Sequence, residues 1–79
     1  MERGTGYGIR IERPENKGVT IYITHDGVDT GTSFSYLIDH ITIDQIISTI
    51  RSWYMFGAIS KTEDRDKLIA DARRMWLTN

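Results

Sequence analysis

A chain of 79 residues with no cysteine fits one small domain, residues 1–79, built without disulfides or thiolate metal sites. Hydrophobic residues at 39% and charged residues at 27% suit a folded domain, and the longest apolar run, four residues, is far too short to span a membrane. Ten Lys and Arg against eleven Asp and Glu leave none of the basic excess of a dedicated nucleic-acid binder. The absence of Cys and of an apolar leader makes a cytoplasmic location the expectation.

Gly4, Gly6 and Gly8 alternate at the start of the chain. A dinucleotide-binding loop needs G-x-G-x-x-G after a strand and before a helix, so these glycines read as an N-terminal arm. Tyr7, Ile9 and Ile11 then alternate with Gly8, Arg10 and Glu12, the period-2 pattern of a half-buried strand. Turn-forming residues at 14–18 end it. Val19, Ile21 and Ile23 share one face of the next strand, and Thr20, Tyr22 and Thr24 the other. Both faces carry β-branched or aromatic residues, which marks the central strand of a sheet. Asp26-Gly27 fits a tight hairpin turn, with a longer connection through Asp29-Thr30-Gly31 as the alternative. The third strand is expected over about residues 32–38, with Phe34, Tyr36 and Ile38 on one face.

The next element announces itself through its end signals. Thr42 and Gln45 match a capping box, Ile41 and Ile46 a hydrophobic staple, and Asp44 suits the positive end of the helix dipole. Ile43, Ile46, Ile47 and Ile50 form the apolar stripe, and Gly57 is the expected stop. Ser60 with Glu63, or Thr62 alone, would cap a second helix. Leu68, Ile69, Ala72, Met75 and Trp76 share its apolar face, with Arg73 and Arg74 near its end. The fold class is therefore α+β: a three-stranded antiparallel β-meander followed by two α-helices (βββαα) on one face of the sheet.

Trp53-Tyr54-Met55-Phe56 departs from this regularity. Consecutive helical residues are about 100° apart, so four in a row point nearly all the way round the helix. Trp53 and Tyr54 fall near the isoleucine stripe; Met55 and Phe56 fall off it. One reading folds Met55 and Phe56 back beneath the second helix with Ile59 and Leu68. The other leaves them as an exposed patch for a protein partner or a homodimer, with Trp53 alongside and Arg51 as a polar rim.

Candidate chemistry is sparse. Asp29-Thr30-Gly31 resembles the active-site tripeptide of aspartic proteases, and Thr32-Ser33 continues the pepsin-like pattern. That resemblance implies paired carboxylates sharing a proton, with a homodimer supplying the second Asp. The local expectation is a hairpin loop held by the Asp29 side chain. His25 and His40 lie beside Asp26 and Asp39 but lack metal-ligand spacing, and Asp26 and Asp29 do not make a calcium loop. Arg10, Arg13, Lys17, Arg73 and Arg74 are the residues that would contact nucleic acid, with Tyr22 as a stacking surface. Arg65 falls on the apolar face of the second helix, where it would either snorkel or meet a carboxylate. The expected function is a small non-enzymatic interaction module of inhibitor or adaptor type, of a size often encoded by phages and other mobile elements. No metal, cofactor or membrane contact is expected. A nucleic-acid-contacting regulator and, more remotely, a dimeric aspartic-type hydrolase are the alternatives.

Overall fold

The computed structural model describes residues 6–13, 18–37 and 41–77. Gly4, residues 14–17 where a turn is expected, Ile38 and His40 lie outside the described residues. Three antiparallel strands, β1 (Tyr7–Glu12), β2 (Val19–His25) and β3 (Val28–Tyr36), form one sheet in the order β1-β2-β3. Two helices follow, α1 (Ile43–Met55) and α2 (Thr62–Leu77), completing the βββαα arrangement read from the sequence.

Alternation decides which face of the sheet is covered. Ile9, Val19, Ile21 and Ile23 are buried and join Ile46, Ile50, Ile59, Leu68 and Ala72 of the helical layer in one core. Ile41 and Ile46, the staple pair, are both in it, and the Thr42–Gln45 capping box forms as the spacing predicts. Asp26 and Gly27 have φ of 54° and 87°, the two positive values of a two-residue type I′ hairpin, and His25 pairs with Val28 across them.

The third strand corrects the sequence reading. It begins at Val28, not residue 32, so Asp29-Thr30-Gly31 is strand and not hairpin loop. Tyr22 pairs with Ser33 and Thr24 with Asp29, which leaves Thr30, Gly31 and Thr32 opposite Ile23 alone as a β-bulge. The Thr30 hydroxyl donates to the Ile23 carbonyl at 2.9 Å and accepts from the Thr32 N–H at 3.3 Å. Thr30, and not Asp29, supplies the local side-chain support.

Helix α2 starts at Thr62, where the Lys61 carbonyl accepts from the Arg65 N–H at 3.1 Å. The start lies between the two expected ones, one residue after the position a Ser60 cap would set and one before that of a Thr62 cap. Asp64 in its first turn is buried, with one carboxylate oxygen lacking a hydrogen-bond partner. Asp71, the other buried carboxylate, is paired with Lys67 at 2.9 Å and Arg74 at 3.2 Å.

Candidate interaction site

The site is built by the end of α1. Phe56 is the C-cap, and Gly57 follows with φ 94°. The Gly57 N–H donates to the Tyr54 carbonyl at 3.3 Å and the Ala58 N–H to the Trp53 carbonyl at 2.9 Å, the paired bonds of a Schellman motif. This closure turns the chain sharply, so Ile59 is the residue that enters the core. Met55 and Phe56 stay outside, 79% and 83% exposed. Of the two readings of this pair, the fold-back beneath α2 is the one the structure overturns. Ile59 and Leu68 are buried without them.

Beside Phe56 runs a groove of about 310 Å³ lined by Phe34, Ser48, Thr49, Ser52, Trp53 and Phe56. Two of its lining residues, Phe34 and Thr49, are held by Tyr36 of the sheet. The Tyr36 hydroxyl donates to the Gln45 carbonyl at 2.8 Å and also meets the Thr49 hydroxyl, tying α1 over β3. Burial pushes the Tyr36 phenol above its usual value, and the Thr49 contact opposes this. Phe34 packs edge-to-face on Tyr36 with ring centroids 4.9 Å apart, yet remains 46% exposed at the margin of the sheet.

The structure thus brings Trp53 and Phe56 together and adds Phe34, which sequence reasoning did not assign to the site. The signal was there in part, since Phe34 alternates with Ser33 and Ser35 on the face of β3 that turns toward the helices. Met55 and Arg51 are exposed but do not line the groove. Each is one residue, or about 100°, from a residue that does.

The basic residues are dispersed. Arg10 on β1 pairs with Asp29 at 2.6 Å, bonds Glu12, and lies 4.0 Å from the centre of the Tyr22 ring, covering one face of that aromatic. Arg13 stacks on Trp76 at 4.0 Å, Arg74 pairs with Asp71, and Arg73 is exposed on α2. Lys17 is outside the described residues. Arg65 snorkels over the Tyr54 ring at 4.8 Å and pairs with its neighbour Asp66 at 3.0 Å, so its carboxylate comes from its own helix. Asp29, the centre of the protease-like tripeptide, faces a guanidinium. His25 contacts Tyr7 at a tilt of 54° with centroids 4.6 Å apart, and its Nδ1 is 3.7 Å from the Asp26 carboxylate. Among the described residues no three His, Asp or Glu side chains gather as metal ligands, and no helix is long and apolar enough to cross a membrane.

The Arg10 cluster predicts a pH response. Hydrogen bonds from the Tyr22 hydroxyl and then from Arg10 hold the Glu12 carboxyl below its ordinary 4.5, and the same Glu12 bond is the main cause that raises the Tyr22 phenol above 10.0. Asp29 and then Glu12 keep the Arg10 guanidinium protonated. A depressed carboxyl contributes stability that is present above its unfolded value and lost as pH falls through its folded value. The raised phenol contributes below its unfolded value and loses that contribution as pH rises through the folded one. Thermal melts of wild type and Glu12→Gln should therefore differ near neutrality and converge on acidification below 4.5. A difference that stays constant with pH would refute the assignment.

Comparison with protein-family models, with curated proteins and with solved structures gave no match.

Proposed function

We propose that the chain is a small protein-interaction module, working without catalysis, whose contact surface is the groove beside β3 and the exposed end of α1. The supporting observation is Phe56, 83% exposed on a backbone closed by the Gly57 turn and set beside Phe34 and Trp53. Large apolar side chains held in water lower solubility and add nothing to the fold, so a surface that keeps them suits the core of an interface. The basic residues favour this reading over nucleic acid, because Arg10, Arg13 and Arg74 are each engaged within the protomer. An inhibitor or adaptor acting in the cytoplasm is the role such a surface suits.

The test is affinity capture from the native host followed by binding measurements on the captured species. Met55→Ala combined with Phe56→Ala should weaken binding by about tenfold or more while shifting the melting temperature by no more than about 2 °C, since exposed side chains bury little area in the fold. Phe56→Ala alone should account for most of the loss, because Met55 is off the groove. A large fall in melting temperature, with binding intact in the surviving folded fraction, would sink the proposal.

A further inference from the structure

The two edges of the sheet are unlike. Helix α2 packs against β1, and that strand carries the charges of Arg10 and Glu12. Cover and charge are the usual means of keeping an edge strand from pairing with another chain. Strand β3 has little of either. Among the described residues it pairs with β2 alone, and most of its residues are exposed. Residues 30–37 include no charged residue and no proline. The bulge ends at Thr32, so residues 33–36 form an uninterrupted run of strand beyond it. The same neutrality continues onto α1, since Ser48, Thr49, Ser52, Trp53 and Phe56 carry no charge in a chain that is 27% charged. Apolar groups crowd this flank: Phe34, Phe56 and, just past β3, Leu37 at 84% exposure.

Symmetry decides which occupant such a flank suits. Near a two-fold axis every charge faces its own like charge, so a patch that meets itself is best left neutral. A foreign partner imposes no such rule and commonly gains from opposite charges around the contact. We propose that β3 pairs antiparallel with β3 of a second copy of this chain. The two three-stranded sheets become one of six strands, and Phe34 and Phe56 of each copy close the open side of the other's groove. The inference rests on the interaction-module reading and specifies its partner.

Sedimentation velocity on the full chain, over a micromolar concentration series, tests it. Wild type should form a dimer. Ser35 is exposed in the middle of the neutral run, so Ser35→Lys and Ser35→Glu should each fold normally by circular dichroism and weaken the dimer by about tenfold or more. Mixing the two variants should recover a 1:1 heterodimer, because opposite charges then meet across the former axis. Wild type that stays monomeric, charged variants that dimerise as tightly as wild type, or a mixture that forms no heterodimer would each overturn the inference. A monomer whose capture of a host protein is abolished by Phe56→Ala overturns the second-copy inference alone. A monomer with no Phe56-dependent capture overturns the interaction-module reading as well.

Discussion

Gly18→Ala is expected to lower the melting temperature by about 15 °C. Gly18 has φ 89°, and a Cβ placed on it would lie 2.5 Å from the Tyr36 carbonyl oxygen. The left-handed backbone costs about 1–2 kcal/mol for a residue with a side chain. The contact adds about 1–3 kcal/mol, because its partner is backbone of β3 and not the tip of a flexible side chain. For a domain of this length each kcal/mol moves the midpoint by about 4–8 °C. The change also reaches the site. Tyr36 ties β3 to α1 through Gln45 and Thr49, so a displaced Tyr36 backbone loosens the hold on Thr49 and Phe34, which line the groove. Gly18→Ala should therefore reduce binding as well as stability. Differential scanning calorimetry with a parallel binding assay reads both, and an unchanged midpoint would contradict the strain argument.

Leu68→Ala should be more severe still. Leu68 is fully buried on α2, the helix that packs against both α1 and β1. Truncating a buried leucine costs about 3–5 kcal/mol, the lost transfer energy plus the cavity left behind. A chain of this size holds on the order of 4–12 kcal/mol in total. Urea unfolding should show the midpoint falling by a third or more with the m-value little changed. A loss under about 1 kcal/mol would mean that α2 repacks freely and that the core is less ordered than its burial implies.

Much of the fold was legible because its signals are local. The capping box at Thr42 and Gln45, the staple at Ile41 and Ile46, and the glycine stop at Gly57 each act within one turn of helix, and all three form. The central strand was legible because residues 19–25 carry β-formers on both faces. The start of β3 was misread for a physical reason. Asp29-Thr30-Gly31 has turn chemistry, but a bulge uses the same residues, with Gly31 at φ 97° inside a strand that continues on both sides. The fate of Met55 and Phe56 was not local either. It depended on whether they joined Ile59 and Leu68 in the elbow between the helices, and past the Gly57 turn only Ile59 and Leu68 are buried there. Phe34 was hidden for the same kind of reason, since its nearness to Phe56 exists only once the fold sets the end of α1 beside β3.

The contrast between the two edges of the sheet also sets a limit on how far association can run. Strand addition at an edge is the elementary step of fibre growth, and a molecule with two receptive edges can repeat it without end. In the pairing proposed above the receptive edge is β3, while β1 is charged and packed by α2. Under that β3–β3 pairing, the ends of the joined sheet would both be β1, the charged strand packed by α2. Rising concentration should drive such a chain to a plateau of fixed mass, without the lag phase and turbidity of polymerisation.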